Sequence, residues 1–355
     1  MKVAVLLSGG VDSSVALYLL KEKKYDITAF YIKIWLQDEF SFLGDCPWEE
    51  DMNFATAVCK QASVPLEIVP LQSEYWEKVV TYTINEIKEG RTPNPDMFCN
   101  RLIKFGEFYK KLVNNESIDS TFEKIASGHY ARITQEGKTY LLKTSPDPIK
   151  DQTYFLSYLT QQQLSRALFP VGDYTKKQIR ELAKKYNLPN MSRKDSQGIC
   201  FLGRISFAEF IKHHLGELKG DIVDIDSQKK VGQHKGYYFY TIGQRSGLGL
   251  GGGPWYVVKK DIQNNIIYIS RQDIKNRFRD SFKVGKFNWI SDVPEELDNL
   301  KVKIRHGAKY YNCKLTIDND VGLVKMNEKD QGIAPGQFAV FYKKDICLGG
   351  SVILE

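Results

Sequence analysis

The feature that most constrains the fold is a glycine turn between an apolar strand and a helix at the start of the chain. Residues 3–7 form a continuous apolar run of strand length, and Ser8-Gly9-Gly10 breaks it before a helical pattern begins. Uninterrupted apolar runs are typical of strands buried on both faces of a parallel sheet. The pattern therefore predicts a turn at the carboxyl end of a parallel strand, where such sheets bind ligands.

The following N-terminal residues continue this alternation. Residues 27–35, 66–69 and 125–126 read as strands, residues 50–62 and 76–87 read as helices, and residues 151–187 read as helical. Strands joined by right-handed helical crossovers make a sheet covered on both faces. We therefore expect an α/β fold with a doubly wound, mostly parallel sheet.

After about residue 200 the pattern changes, because glycine becomes frequent and the apolar runs shorten. Strands are predicted at residues 237–241, 255–258, 266–269, 301–305, 313–317, 322–326, 338–342 and 351–354. Short strands separated by Gly and Pro are typical of small barrels. We expect an N-terminal α/β domain at residues 1–202, a small central β-rich domain at 203–276 and a C-terminal β-barrel at 277–355.

Composition excludes several classes of protein. No apolar stretch approaches the roughly 18 residues of a membrane span, so no membrane association is expected. The first apolar run is too short for a signal peptide, which favours a cytoplasmic location. The six cysteines contain no CxxC pair, and in a reducing compartment they act as thiols, if they act at all. The net charge of +7 permits an anionic partner, and a monomer is the working expectation.

The glycine turn continues as Ser8-Gly9-Gly10-Val11-Asp12-Ser13-Ser14. Two glycines let backbone N–H groups approach a phosphate closely, and the serine hydroxyls lie at a helix N-terminus, where the helix dipole favours anions. The alternative is an ordinary turn in which Asp12 or Ser13 caps the helix. The position after the first strand of a parallel sheet favours nucleotide binding, and the absence of a GxxxxGK[ST] lysine excludes a kinase or GTPase loop.

This loop resembles that of the PP-loop ATP pyrophosphatases, and further motifs narrow the resemblance. Residues 90–106 (GRTPNPDMFCNRLIKFG), 127–130 (SGHY), 150–156 (KDQTYFL) and 195–201 (DSQGICF) are similar to segments of the MnmA-type tRNA-specific 2-thiouridylase family. The resemblance runs essentially end to end. It implies ATP-dependent 2-thiolation of the wobble uridine in tRNAs, with lysine, glutamate and glutamine tRNAs as expected acceptors.

Two cysteines lie inside these motifs. Pro93-Asn94-Pro95-Asp96 is rich in turn formers, so Asp96 and Cys99 are expected on or beside a loop before a helix at residues 102–109. A cysteine near a helix N-terminus would have a lowered pKa. The alternative is that Asp96 only caps the helix and Cys99 is a buried apolar group. Cys200 is locally as ambiguous. Burial is the expectation for Cys59, Cys313 and Cys347, and Cys46 has no predicted function.

The resemblance implies the catalytic roles. Cys200 carries a persulfide whose terminal sulfur attacks C2 of the adenylated uridine. Cys99 then forms a disulfide with Cys200 or releases hydrosulfide as the nucleophile, and Asp96 is the general acid/base. A disulfide needs Cα atoms about 6 Å apart, so we expect the segment around Cys200 to move when tRNA binds.

The resemblance also implies the binding residues. Those that contact ATP are Leu6, Leu7, Ser8, Gly9, Gly10, Val11, Asp12, Ser13, Ile32 and Gly128. Ile32 stands where the family usually has methionine. Mg²⁺ is expected to bridge the ATP phosphates, with Asp12 as a reasonable ligand.

The residues that contact tRNA, by the same resemblance, are Asn94, Pro95, Asp96, His129, Lys150, Asp151, Gln152, Arg305, His306 and Gln337. His306 departs from the tyrosine usual in the family. Without the family, His129 could equally be a structural histidine. The persulfide donor would be a sulfur-relay protein or a cysteine desulfurase.

Other patterns suggest sites that we do not adopt. The basic residues of helix 176–185 favour a solvated face, with phosphate contacts as the alternative. Residues 247–252 fit GxGxxG by letters but precede no helix, so they are not a dinucleotide site. His213-His214 do not share a helix face, which argues against a metal site. The rival functions are a PP-loop ligase without sulfur chemistry and a non-catalytic RNA-binding protein.

Overall fold

The protein is described by a computed structural model over residues 1–34, 47–114, 122–195, 206–271 and 278–354. The first sheet has five parallel strands in the order β3-β2-β1-β4-β7. The strands are β1 (Lys2–Leu6), β2 (Asp26–Lys33), β3 (Leu66–Pro70), β4 (Lys124–Ala126) and β7 (Ala167–Leu168). The predicted parallel sheet is confirmed.

Helices cover both faces of this sheet. On one face, Val3 and Val5 pack with α1 and α2; on the other, Ala4 and Leu6 pack with α3 and α4. The apolar run of β1 is continuous because alternate residues enter two separate cores. The helices are α1 (Val11–Glu22), α2 (Pro47–Ala62), α3 (Gln72–Tyr75, Trp76–Val80 and Thr81–Lys88 in succession) and α4 (Pro95–Phe98, Cys99–Glu107 and Phe108–Asn114 in succession).

The rest of the N-terminal part adds a hairpin and three helices. These are β5 (Ala131–Glu136), β6 (Thr139–Thr144), α5 (Thr153–Leu156), α6 (Gln161–Arg166) and α7 (Lys176–Lys185). Helix α7 begins at a capping box in which Thr175 and Gln178 satisfy each other's backbone N–H groups. It buries Ile179 and Ala183 against α1, which places its N-terminus beside the glycine turn.

A four-stranded sheet in the order β10-β11-β8-β9 forms the central part. Its elements are α8 (Phe207–Leu215), β8 (Gly220–Asp224), β9 (Lys229–His234), β10 (Tyr256–Asp261) and β11 (Ile266–Ser270). Tyr237–Phe239 is a turn of 3₁₀-helix, so the strand predicted at residues 237–241 is wrong. The three aromatic rings there, typical of strands by composition, instead pack against the core of the N-terminal part, and Tyr237 also packs against the central sheet.

The C-terminal strands close into a six-stranded antiparallel barrel, because β12 pairs with both β15 and β17. The strands are β12 (Arg279–Trp289), β13 (Leu300–Lys303), β14 (Tyr311–Asp318), β15 (Val321–Asp330), β16 (Phe338–Lys343) and β17 (Ile346–Ile353). In β14 the residues Tyr311, Cys313 and Leu315 point inward and alternate with exposed ones. The predicted barrel is confirmed.

The hairpin of β5 and β6 ties the N-terminal part to the barrel. Strand β6 pairs with β17 through Leu142 and Cys347, so the hairpin extends the barrel sheet. Beside it, Lys303 of β13 donates to Asp151 at 3.0 Å, and both side chains are fully buried. An ion pair without water is stable only with good geometry and further hydrogen bonds. Here Thr153 and the backbone N–H of Ser145 also donate to Asp151.

Two sequence predictions lie on residues outside the described ranges. The domain boundaries at 202/203 and 276/277 fall within residues 196–205 and 272–277, so they remain predictions. Within the described ranges, no helix combines the length and the apolar composition needed to cross a bilayer.

Candidate functional site

The glycine turn lies at the topological switch point of the parallel sheet. Strand β1 neighbours β2 on one side and β4 on the other, and the chain reverses its direction of sheet growth between them. Ligands of open α/β sheets bind in the crevice at the carboxyl ends of two such strands. Residues 8–14 follow β1, and Ser127, Gly128 and His129 follow β4, so both motifs line this crevice.

Gly9 takes a conformation that requires glycine. Its φ is +72°, and a Cβ at this position would lie 2.3 Å from the carbonyl oxygen of Asp51. Only a residue without a side chain allows the turn to pack this closely on α2. The turn then enters α1 at Val11, with the hydroxyls of Ser13 and Ser14 each donating to the Gly10 carbonyl at 3.0 Å.

Gly128 brings the second motif against the start of α1. A Cβ on Gly128 would lie 2.7 Å from the backbone nitrogen of Ser13 and 2.8 Å from the carbonyl carbon of Asp12. The end of β4 therefore contacts the first turn of α1 directly. These two close contacts form a crevice at the N-terminus of α1. The first backbone N–H groups of a helix lack partners within the helix, so they can cradle a phosphate.

Polar side chains from residues 190–193 hold the turn in place. The buried amide of Asn190 donates to the Gly9 carbonyl at 2.7 Å and to the Ser14 hydroxyl at 2.9 Å. Arg193 donates to the Gly9 carbonyl at 3.1 Å and pairs with Asp51. Neither residue was predicted from the sequence, in which only their position just before the DSQGICF motif could have indicated a role.

Charged residues gather beside Asp12. Lys176, at the N-terminus of α7, donates to both carboxylate oxygens of Asp12 at 2.7 and 2.9 Å and to Asp195 at 2.8 Å. Lys150 and Arg180 also bind Asp195, at 2.7 and 2.5 Å. Burial opposes ionisation of Asp195, but the hydrogen bonds from Lys150 and Lys176 prevail and hold its pKa well below the usual range. The basic face of α7 is thus partly engaged in ion pairs.

Asp12 also accepts a hydrogen bond from the hydroxyl of Tyr130 at 2.9 Å. Burial, together with the Asp12 charge, raises the pKa of Tyr130. A divalent cation on ATP would find Asp12 beside the turn, with Lys176 as its competitor. Among the residues that the structure describes, no three His, Cys, Asp or Glu side chains form a metal-binding group.

His129 is a buried, neutral histidine. Its Nδ1 lies 2.7 Å from the Ser127 hydroxyl, and its ring packs against Phe105 and Phe169. Burial, aided by the charge of Lys104, lowers its pKa well below the ordinary value. At neutral pH the side chain is therefore a hydrogen-bonding group without charge.

The segment with Asp96 and Cys99 differs from its prediction. Helix α4 begins at Pro95, not at residue 102, so Asp96 and Cys99 lie within the first two turns of the helix rather than beside it. Proline is favoured at the first helical position, which explains the early start. Asn94 occupies the N-cap position and is buried, as is Pro95; Asp96 is half-buried; the Cys99 side chain is 2% exposed.

Cys200, the predicted partner of Cys99, and Cys46 lie outside the described residues. The burial predicted for Cys59, Cys313 and Cys347 is confirmed. Burial raises the pKa of the Cys59 thiol to about 11 and that of Cys313 to about 12. These thiols are unreactive at neutral pH. Ile32 lies near the end of β2, half-buried against the core that Leu6 shares.

The six remaining predicted tRNA contacts fall into two groups. In the first, Lys150 binds Asp195, Gln152 accepts from the Tyr130 backbone at 2.9 Å, and Asp151 is the buried partner of Lys303. The Asp151 carboxylate has no exposed surface for RNA in this structure. Through its pair with Lys303, Asp151 instead connects the Lys150-Asp151-Gln152 segment beside the crevice to the barrel.

The second group lies in the barrel. Arg305 makes a two-fold contact with Asp330 at 2.9 and 2.7 Å and keeps half of its side chain exposed. The exposed His306 packs its ring 4.7 Å from that of Phe155. Gln337 donates to the carbonyls of Thr92 and Pro93 at 3.1 Å each. The barrel therefore reaches the segment that leads into Asp96 and Cys99.

Family models match almost the whole chain. They are described as a tRNA methyl transferase HUP domain at residues 1–204, a tRNA methyl transferase PRC-barrel domain at 208–271 and an aminomethyltransferase beta-barrel domain at 279–353. This order agrees with the observed parallel sheet, central sheet and closed barrel.

Curated relatives match over their full lengths. The tRNA-specific 2-thiouridylase MnmA of Parabacteroides distasonis is 45% identical, over 100% of this chain and 99% of its own. One of Bacteroides fragilis is 46% identical over 99% and 100%, and that of Porphyromonas gingivalis is 43% identical over 100% and 99%. With the glycine turn at the switch point and the closed barrel behind it, this similarity shows that the chain belongs to the family of tRNA-specific 2-thiouridylases.

Proposed function

We propose that this protein is an ATP-dependent tRNA-uridine 2-sulfurtransferase that thiolates the wobble uridine of the lysine, glutamate and glutamine tRNAs in the cytoplasm. The observation that carries the proposal is the crevice between β1 and β4, where Gly9 and Gly128 both make contacts that exclude a side chain. A chain of this family that keeps both contacts has retained the phosphate cradle needed to activate a poor leaving group.

Activation comes first, because O2 of uracil leaves poorly until it carries a phosphoryl group. The proposed ATP-binding residues are Leu6 and Leu7 at the end of β1, residues 8–13 of the turn, Ile32 and Gly128. The N–H groups at the start of α1 would hold the phosphates, and Lys176 would supply positive charge beside them. Mg²⁺, when bound with Asp12 as a ligand, supplies further charge neutralisation for the released pyrophosphate.

Asn94, Pro95 and Asp96 would surround the target base, with Asp96 as the acid/base group at O2. Their place at the start of α4 supports this assignment, because the helix packs on the sheet face that Leu6 shares. The base must leave its stack to be reached. Lys150, His129, Arg305 and His306 are the proposed contacts to the surrounding RNA.

Sulfur transfer follows on the two thiols. A sulfur-relay protein or a cysteine desulfurase loads Cys200 with a persulfide, and its terminal sulfur bonds to C2 as AMP leaves with the former O2. The Cys99 thiolate then attacks Sγ of Cys200, which breaks the S–S bond, frees 2-thiouridine and leaves a disulfide that an external thiol must reduce. In the alternative order, Cys99 attacks the persulfide first and releases hydrosulfide as the nucleophile.

Pyrophosphate release with and without tRNA tests this proposal. The wild-type protein should release pyrophosphate only with an acceptor tRNA, and Cys200→Ser should still do so while forming no thiouridine. Cys313→Ser, at a buried barrel thiol, is the matched control and should perform both steps. No ATP turnover with any tRNA would leave only an RNA-binding protein. ATP turnover in which the wild-type protein, supplied with a persulfide donor, forms no thiouridine would point to a ligase without sulfur chemistry.

A further inference from the structure

The residues just before α4 are held by the barrel, which follows them by more than two hundred residues in sequence. The backbone N–H of Thr92 donates to the Pro335 carbonyl at 2.8 Å. The side-chain amide of Gln337 donates to the carbonyls of Thr92 and Pro93. Three hydrogen bonds therefore fix three successive peptide groups just before the helix.

The loop that contains Gly336 packs tightly against the residues just before α4. Gly336 has a φ of +88°, and a Cβ there would lie 2.8 Å from Cβ of Arg91 and 2.9 Å from the Thr92 nitrogen. The next barrel residue, Phe338, packs its ring edge-on to that of Phe98, with 6.0 Å between centroids. Contacts thus flank Gln337 on both sides, and the second one reaches the residue adjacent to Cys99.

Gln337, just before β16, is itself held by backbone hydrogen bonds within the C-terminal part. Its N–H donates to the Ala334 carbonyl at 3.1 Å, and its carbonyl accepts from the Ile353 N–H at 2.7 Å. The same loop begins at Asp330, which binds Arg305 and accepts from the Gly332 N–H at 2.6 Å. One short loop therefore links the proposed RNA-contacting Arg305 to the carbonyls of Thr92 and Pro93.

The connection from these carbonyls to the reacting groups is short and stiff. Pro93 and Pro95 flank Asn94, and proline fixes its own φ and restricts the residue before it. A displacement of Thr92 is therefore passed on to Asp96 rather than absorbed by the chain. On its other side, Arg91 is held by a two-fold contact with Glu86 at 2.7 and 2.9 Å.

We infer that Gln337 is a positioning residue for the sulfur-transfer reaction: its amide fixes the Thr92 and Pro93 carbonyls and thereby the placement of Asp96 and Cys99. This inference rests on the proposed function for its consequence in catalysis, but not for its consequence in structure. It assigns the barrel a part in building the catalytic segment, in addition to RNA contact.

The first test needs no tRNA and compares Gln337→Met with wild type by amide hydrogen exchange and by mass-mapped alkylation of Cys99. Methionine matches the length of glutamine but cannot donate, so the Thr92 and Pro93 carbonyls lose this donor. Exchange across residues 94–107 and alkylation of Cys99 should each be about 10-fold faster, as expected for the loss of two hydrogen bonds. Gln331→Met, at an exposed position of the same loop, should leave both rates unchanged.

The second test separates positioning from RNA contact. A positioning role predicts that kcat for thiolation falls about 10- to 100-fold in Gln337→Met, as misplacement of reacting groups does, with KM for tRNA nearly unchanged. Gln337→Glu keeps the shape and solubility of the side chain but places a carboxylate against two carbonyls, so its kcat should fall at least as far. This variant replaces Gln337→Met in the test if the methionine variant folds poorly.

Two results would overturn the inference. One is unchanged exchange and alkylation in both Gln337 variants. The other is a raised KM for tRNA with an unaltered kcat, which would make Gln337 only an RNA contact. If the wild-type protein forms no thiouridine at all, the proposed function fails, while the exchange and alkylation comparison still decides whether Gln337 positions α4.

Discussion

Gly9 lies where the glycine turn approaches α2 most closely, and two separate constraints meet at this residue. Its φ of +72° disfavours any side chain, and the Asp51 carbonyl occupies the space that a Cβ would need. Gly137, in the turn between β5 and β6, has a similar φ of +59°, but no atom lies within 4 Å of the place that its Cβ would take. Substitutions at Gly9 and Gly137 can therefore separate the effect of backbone strain from the effect of close packing.

Gly9→Ala should abolish tRNA-dependent pyrophosphate release, with a loss of at least about 100-fold, since the phosphate-binding N–H groups would be displaced. Gly137→Ala should keep nearly full activity and lose only about 1 kcal/mol of unfolding free energy from the same left-handed strain. Pyrophosphate release and denaturant unfolding measure both effects. Equal activity losses in the two variants would refute a packing requirement at Gly9.

Among the elements, β6 and β13 show how the barrel is fixed to the catalytic part. Strand β6 leaves the N-terminal fold to pair with β17, and Lys303 of β13 enters the same junction to reach Asp151. The Lys303 ammonium also lies 4.3 Å from the ring centroid of Tyr310. The buried Lys303–Asp151 pair favours one position of the barrel on the N-terminal part, because a shift of the barrel would leave both charges buried and unpaired.

Lys303→Met should lower the free energy of unfolding by about 3–5 kcal/mol, because it leaves the Asp151 carboxylate buried without a counter-charge. Combining it with Asp151→Asn should recover part of that loss. Lys301→Met, at an exposed site of the same strand, should change stability by about 0.5 kcal/mol or less. Denaturant titration of the four proteins gives the values, and a double variant no better than Lys303→Met would contradict this account.

Some secondary-structure elements and their arrangement could be predicted from the sequence, and others could not. The apolar run of β1 and the short strands separated by Gly and Pro after residue 200 are local patterns, so the parallel sheet and the barrel could be predicted from them. The pairing of β6 with β17 depends on contacts between distant segments, which no local pattern reports. The early start of α4 was missed because Pro93 and Pro95 were interpreted as turn formers, although proline also suits a first helical position.

The same reasoning applies to the site. The glycines and the motif residues could be named in advance, since phosphate binding imposes requirements on the backbone that only glycine meets. Asn190 and Arg193 carry no such signature, because an asparagine or arginine in a loop is usually exposed. Their roles follow from the long-range packing of the 190–193 segment on the turn.

Over the whole molecule, buried histidines make stability depend on pH. Burial lowers the pKa of His129 and His234 below the ordinary value of 6.5. Below pH 6.5 the unfolded chain binds protons at these positions while the folded protein does not, until the lower folded pKa is reached. The free energy of unfolding should therefore fall as the pH drops from about 6.5 and should be flat just above it.

Unfolding free energies measured between pH 5 and pH 8 test this expectation. His234→Gln should reduce the slope below pH 6.5, while Gln331→Met, at an exposed position without a titrating side chain, should leave it unchanged. A slope of the same size in the His234→Gln protein would assign the effect to other groups.

In the proposed reaction, activation by ATP and sulfur transfer from a thiol pair occur on one tRNA base. Mass analysis of tRNA nucleosides, after incubation with ATP, Mg²⁺ and an isotopically labelled persulfide donor, tests both steps together. The account predicts labelled 2-thiouridine at the wobble position, dependent on ATP and absent in both Cys99→Ser and Cys200→Ser proteins. Labelled thiouridine formed without ATP, or formed at full yield by either serine variant, would contradict it.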